Sequence, residues 1–441
     1  MEIVYSVLRG IIGLAILLAI AFLFSNNKKR IDWKLVTTGL IMQIVFAVFV
    51  LKTGIGRDIF SAISRVFVSV LSFSTEGAKF VFGPLAVSPE TTGSFGFFFA
   101  FQVLPTIIFF ASLMAIFYYF GIMQRVVQGI AWIMARVMGT SGAESLSVSA
   151  NVFIGQTEAP LVIRPYIATL TRSELLTIMI GGMAHISGGV MAAYVQMLGV
   201  AYAKAKGLPV DAAQVQFAGH LLTASIISAP ATMLVAKMLI PETEESLTKG
   251  TVKLKIEKSH SNVIEAAASG ASDGVKLAIN VAGMLVAFIA LIALFDYLLI
   301  SFGYWINVNS YLQLNFGQPL SLELLFGLVF RFIAFAIGVP WKDSLQVGSL
   351  MGIKLVLNEF VAYSRFADLI PLNKLSEKAI IIATYALCGF ANFSSIAIQI
   401  GGISPLAENR RSDIAKLGLK AVLGGTIATW MTATIAGVLV Q

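Results

Sequence analysis

Apolar runs of about 20 residues recur along the whole chain, and nothing else in the sequence limits its fold as much. They fall at 3–24, 33–51, 95–120, 175–202, 217–235, 277–295, 379–406 and 421–440. A hydrocarbon core about 30 Å thick takes about 20 helical residues to cross, so these read as eight transmembrane helices. The first is too long for the apolar part of a signal peptide and lacks a small-residue cleavage site, so it is expected to be retained. Composition agrees: 57% of the 441 residues are hydrophobic and 12% charged, against roughly 25% charged in soluble domains. That excludes a soluble enzyme, a DNA-binding module and a disordered scaffold. The 31 Lys and Arg exceed the 23 Asp and Glu, yet no basic cluster interleaves with aromatics, so nucleic acid is not the expected partner. The one cysteine, Cys388, lies inside an apolar run, which rules out a disulfide framework and a cysteine metal centre.

Lys and Arg collect in loops on the cytoplasmic side. Lys28, Lys29, Arg30 and Lys34 follow the first run, which puts the N-terminus outside. Alternating from there places Arg164 with Arg172, the 249–258 segment, and Arg410 with Arg411 inside as well. Eight spans return the C-terminus to the outside, together with the 303–318 loop, which has no Lys or Arg. The charged stretch 242–261 is expected to be a solvated loop.

Two regions are too polar to span and too apolar to leave the membrane. Residues 145–169 carry Asn151, Gln156, Glu158 and Arg164 and are broken by Gly155 and Pro160. Residues 322–366 carry Arg331, a Gly338-Val339-Pro340 break, and then Asn358-Glu359. Non-helical backbone at membrane depth survives only when buried in protein or lining a cavity. Both therefore read as re-entrant hairpins, the first entering from inside and the second from outside; amphipathic surface helices are the alternative.

The run after each hairpin holds a matching motif. One is Gly182-x-Ala184-His185-x-Ser187-Gly188 and the other Gly389-x-Ala391-Asn392-x-Ser394-Ser395. A hairpin followed by two spans thus occurs twice from opposite sides, the inverted-repeat plan of secondary transporters. The fold class is an all-α polytopic membrane protein of eight transmembrane helices and two hairpins. It divides into scaffold spans one to three with interfacial helices (1–143), a first transport repeat of hairpin and spans four and five (144–240), a cytoplasmic loop with scaffold span six (241–302), and a second transport repeat of hairpin and spans seven and eight (303–441).

An acid inside a membrane is costly enough to be a functional candidate by default. Glu158 and Glu359 qualify, unless Arg164 and Lys354 neutralise them as structural ion pairs. With Gln156, Thr157, Asn392, Ser394 and Ser395 they would line a cavity of amides, hydroxyls and carboxylates. Such a set suits a neutral, hydroxyl-rich, sugar-like or base-like cargo without phosphate, because no Arg cluster accompanies it. A hard cation needs oxygen ligands. Asn151 and the main-chain carbonyls freed near Gly155 and Gly188 would supply them, unless Asn151 merely caps a hairpin helix.

The runs Gly155-Gln156-Thr157-Glu158-Ala159-Pro160, Asn358-Glu359-Phe360-Val361-Ala362-Tyr363 and Phe390-Ala391-Asn392-Phe393-Ser394-Ser395 resemble the concentrative nucleoside transporter family. The likeness extends from about residue 76 to the C-terminus. It implies an eight-span homotrimer in a bacterial inner membrane, importing nucleosides by alternating access in symport with sodium, and no cofactor. It implies that Gln156, Thr157 and Glu158 contact the nucleobase, that Glu359, Asn392 and Ser395 hold the ribose hydroxyls, and that Val190 and Phe390 give apolar contact. It also implies a sodium site at Asn151, Ile154, His185 and Ile186. The family has a hydroxyl residue where His185 stands. Imidazole is a poor ligand for an alkali cation and titrates near neutral pH, so proton coupling is the alternative to sodium, unless His185 merely bonds a neighbouring carbonyl in its helix.

A passive channel wants rings of like residues about one axis, which two unlike hairpins do not provide. An intramembrane enzyme using Glu158 and His185 is the remaining alternative. The metalloprotease, hydrolase and Walker motifs are all missing, so no enzymatic activity is expected.

Overall fold

The computed structural model describes residues 2–87, 94–249 and 261–440. Residues 250–260 of the expected charged loop lie outside the described residues. All regular structure among the described residues is helical. The first part of the chain forms α1 (Glu2–Leu23), α2 (Trp33–Lys52), α3 (Gly54–Phe82), α4 (Phe99–Gln102) and α5 (Leu104–Tyr119). Next come α6 (Ile122–Met138), α7 (Gly142–Asn151), α8 (Arg172–Ala184), α9 (Gly188–Lys206) and α10 (Val210–Leu239). A long α11 (Val263–Trp305) and a short α12 (Asn309–Phe316) lead to α13 (Leu322–Ala336), α14 (Ser344–Val356), α15 (Glu359–Leu369), α16 (Glu377–Leu387), α17 (Phe393–Ile403) and α18 (Arg411–Leu439).

The protein is an all-α polytopic membrane protein with two re-entrant hairpins. Eight described helical stretches are long and apolar enough to cross a bilayer, but they are not the expected eight. The run 379–406 is two half-helices, α16 and α17, separated by Cys388–Asn392. In its place, by length and composition, stands α3. Arg57, Asp58, Arg65, Glu76 and Lys79 interrupt the apolar run of α3, and all five are exposed. Ser64, Val68, Leu71, Ser74 and Ala78 are buried at three- and four-residue spacing, with Gly56 eight residues before Ser64, so α3 is amphipathic and packs one face.

The first hairpin is α7 followed by a 3-10 arm, Ala159–Thr169. Pro160 opens that arm, and Pro165 with non-helical Ile163 keeps it from becoming an α-helix. The second is α14 and α15, and its interruption falls at Leu357-Asn358 rather than at the expected Gly338-Val339-Pro340. That triplet joins α13 to the hairpin. Asn358 instead starts α15, its side chain accepting from the Val361 amide at 2.9 Å. The order amphipathic helix, hairpin, broken helix, full helix therefore runs twice: α6 to α10 and α13 to α18.

The matching motifs lie at the breaks of the two discontinuous helices. After α8, His185 turns the chain into extended backbone and Ser187 caps α9. After α16, Gly389 takes a φ of +92° and Asn392 caps α17. The breaks abut: a β-carbon on Gly389 would lie 2.6 Å from the Met183 carbonyl oxygen. Gly425 of α18 seats on both, against Met183 and Ala391. Tyr194 of α9 stacks on Tyr363 of α15 with centroids 4.1 Å apart, so each half leans on the other.

Burial separates a core from a periphery. The most apolar window of α10 is 89% buried, whereas that of α11 is 22%. α11 packs on α5 through Gly270 and Gly274, which admit Ala111, Ala115 and Ile108, the small-residue contact that lets membrane helices approach closely. On α1, Arg9 donates its Nε to the Phe335 carbonyl at 2.9 Å and its Nη2 to the Phe335 and Val339 carbonyls, tying α1 to the end of α13.

At one end of the core, Lys237 of α10 is buried between two carboxylates, Glu144 at 2.9 Å and Glu242 at 3.0 Å. Glu144 closes a capping box with Ser141 at the start of α7, and Glu174 does the same with Thr171 at the start of α8. The segment after α10 straps both caps: Ser246 donates to Glu174, and the Thr248 carbonyl accepts from the Gly142 amide at 2.8 Å.

Candidate functional site

Four expected site residues meet in one buried hydrogen-bonded chain. At its second-hairpin end, Glu359 opens α15, and its Oε2 accepts from Asn392 Nδ2 at 2.7 Å. Asn392 Oδ1 caps α17, accepting from the Ser395 amide at 2.9 Å and the Ser394 hydroxyl at 2.7 Å. Ser395 Oγ accepts from Gln156 Nε2 of the first-hairpin tip at 3.2 Å. Gln156 Oε1 in turn accepts at 3.2 Å from Gln399 Nε2, which also donates to the Met179 carbonyl of α8 at 2.8 Å. Elements of both halves are thereby joined by neutral amides, a hydroxyl and one carboxylate.

Gln399 was not foreseen. It stands one turn after Ser395 on the same face of α17, inside an apolar run with no partner nearby in sequence. Lys354 does not pair with Glu359; its Nζ donates to the Ala386 and Cys388 carbonyls at 3.1 and 2.9 Å, filling acceptors that the second break leaves open.

The other expected residues are spread around this chain. Thr157 turns its methyl toward Gly402 of α17. Glu158 is exposed and lines a cavity of about 1300 Å³ between the first hairpin and α5, α6, α9 and α11, together with Tyr118, Arg164 and Asp273. No ion pair joins Glu158 to Arg164 among the described residues. Val190 is buried in the first turn of α9, and Phe390 is buried in the second break.

The candidate cation residues surround the first break. Asn151 ends α7 with Nδ2 donating to the Ser147 carbonyl at 3.0 Å, and Gly181 is its neighbour on α8. His185 Nδ1 lies 2.8 Å from the Gly181 carbonyl. A carbonyl only accepts, so Nδ1 carries the proton and Nε2 is left with a lone pair. Nε2 is buried and has no partner among the described residues. Ile154 closes the tip of the first hairpin, where the Phe153 carbonyl accepts from the Gly188 amide at 3.0 Å, and Ile186 is buried in the break itself.

Two discontinuous helices and two hairpins from opposed repeats, meeting at a buried polar cluster, define a secondary transporter. Comparison with known proteins narrows this. Residues 12–85 match the profile described as Na+ dependent nucleoside transporter N-terminus, residues 220–437 that of Na+ dependent nucleoside transporter C-terminus, and residues 100–201 a nucleoside recognition profile. The chain is 38% identical to the nucleoside permease NupC of Helicobacter pylori, with 99% of each covered. It is 37% identical to sodium/nucleoside cotransporter 1 of Rattus norvegicus, over 97% of this chain and 63% of that one. Its structure matches CNTnw in an inward-facing substrate-bound state with a TM-score of 0.86 at 41% identity, covering 98% of each chain. A CNTnw variant in an outward-facing state matches with a TM-score of 0.87 at 40% identity, covering 99% of this chain and 98% of that one. The chain belongs to the concentrative nucleoside transporter family, whose members are transporters and not enzymes.

Proposed function

We propose that the protein imports nucleosides across a bacterial inner membrane in symport with sodium, by alternating access, as a homotrimer with both termini outside. The observation that carries the cargo reading is the Glu359–Asn392–Ser395–Gln156 chain. It offers one carboxylate to hydroxyls and amides to a base, and no cation to a phosphate. Glu359, Asn392 and Ser395 then hold the ribose. Gln156, Thr157 and Glu158 read the base, and Val190 and Phe390 pack against it. The segments 144–240 and 303–441 act as transport repeats against the scaffold formed by 1–143 and 241–302. The apolar face of α11 left unburied suits lipid and a trimer contact.

Sodium is taken as the driver, held by the Asn151 side chain and the carbonyls of Ile154 and Ile186 with His185 alongside. The family's sodium dependence supports this. Proton coupling is the second reading, favoured by one observation: the unpartnered His185 Nε2, a titratable group where the family has a hydroxyl.

Labelled-uridine uptake into proteoliposomes with imposed gradients tests cargo and driver together. The expected result is uptake stimulated by a sodium gradient, lost in Asn151→Ala and retained in His185→Ser. Uptake indifferent to sodium but abolished by dissipating a pH gradient selects the proton, and no uridine uptake under either gradient removes the cargo reading.

A further inference from the structure

Only one arrangement of donors satisfies the Gln399–Gln156 pair. The Met179 carbonyl can only accept, so the Gln399 amide must turn its Nε2 toward it at 2.8 Å. That nitrogen is also the atom 3.2 Å from Gln156, so Gln156 must face it with Oε1. Gln399 is fully buried and its own Oε1 has no partner among the described residues. The orientation is therefore set by what Nε2 donates to, leaving an unmet acceptor. Gln156 is left with its carbonyl engaged and one hydrogen directed to Ser395 Oγ at 3.2 Å. Its second amide hydrogen is unassigned, and Gln399 takes one of its two carbonyl lone pairs. Gly182 of α8 lies beneath both side chains: a β-carbon there would fall 2.7 Å from Gln399 Nε2 and 2.8 Å from Gln156 Cβ.

We infer that Gln399 is a positioning residue for base selection, holding the Gln156 amide from turning over, so that its nitrogen side offers the nucleobase a hydrogen-bond donor where a turned amide would offer an acceptor. The inference rests on the reading that Gln156 contacts the base. An amide free to turn over suits either a donor or an acceptor at the base position it faces; a locked one rejects the base that places a donor at that position, because both groups are then left unpaired. Uracil and cytosine are a matched probe. Their 2-carbonyls are the same, while at N3 and position 4 donor and acceptor are exchanged.

The test is the ratio of inhibition constants of uridine and cytidine against labelled-uridine uptake in proteoliposomes. The intact protein should separate the two by about tenfold. Gln399→Leu, of similar volume and without a donor, should bring the ratio to within about threefold of unity, since a freed amide turns to suit either base. A loss of structure alone would weaken both nucleosides together and leave the ratio in place. Thermal unfolding in detergent checks that the variant is folded. Should the leucine variant not fold, Gln399→Asn carries the same reading, because an amide one methylene shorter cannot span Met179 and Gln156. A ratio that moves in Gln156→Ala but stays put in the folded Gln399 variant overturns the inference while the base contact stands. A ratio unmoved in both overturns the base contact, and the inference with it.

Discussion

Glu359 has one carboxylate oxygen committed to Asn392 Nδ2 at 2.7 Å. A carboxylate accepting from two ribose hydroxyls makes charge-assisted bonds that an amide cannot reproduce. Glu359→Gln should therefore weaken uridine binding by about tenfold, about 1.4 kcal/mol; calorimetry giving an unchanged Kd would take Glu359 out of the site. Gly182 acts through space rather than chemistry. Gly182→Ala puts a carbon into the Gln156–Gln399 contact, and uridine affinity should fall by about tenfold or more while the protein stays folded. Retained affinity would mean that the two amides can shift without affecting the cargo.

At the scale of helices, the two breaks depend on each other. Gly389 needs its left-handed φ of +92° and also the space below Met183, so Gly389→Ala meets strain and collision together. A loss of about 2 kcal/mol or more is expected, visible as a lowered melting temperature in detergent; no change would mean that the breaks part easily. Both hairpins and the matching motifs were legible in the sequence, because glycine, proline and stranded acids rarely stand together inside a continuous apolar span. That each motif splits its helix was not, since the runs 175–202 and 379–406 are each long and apolar enough to read as one span. The seam of the second hairpin was misplaced. Gly338-Val339-Pro340 is the louder local signal, and Leu357-Asn358 becomes a tip only because the Asn358 side chain caps α15. α3 did not show as an apolar run because its charges interrupt it, and within 1–143 only interfacial helices without positions were expected. The clustering of Gln156 with Ser395 and Gln399 was illegible, since those contacts bridge 239 and 243 residues.

Across the whole molecule, Lys237 links the end of α10 to the hairpin base and to the strap that follows. Removing one partner of a buried ion pair leaves an uncompensated charge. Lys237→Met should destabilise the protein by about 3 kcal/mol, with hydrogen exchange rising first around Ser141 and Glu144. Adding Glu144→Gln should restore part of that loss, and strictly additive effects would show that the two side chains are independent. The tie from Arg9 to Phe335 and Val339 joins residues 326 and 330 positions apart. A ribosome adding about 5–20 residues per second needs tens of seconds to make that stretch. For that interval the newborn first helix carries an arginine whose acceptors have not yet been synthesised. Its guanidinium must snorkel to the headgroups, so α1 takes its final place late in biogenesis, after α13 has entered the bilayer.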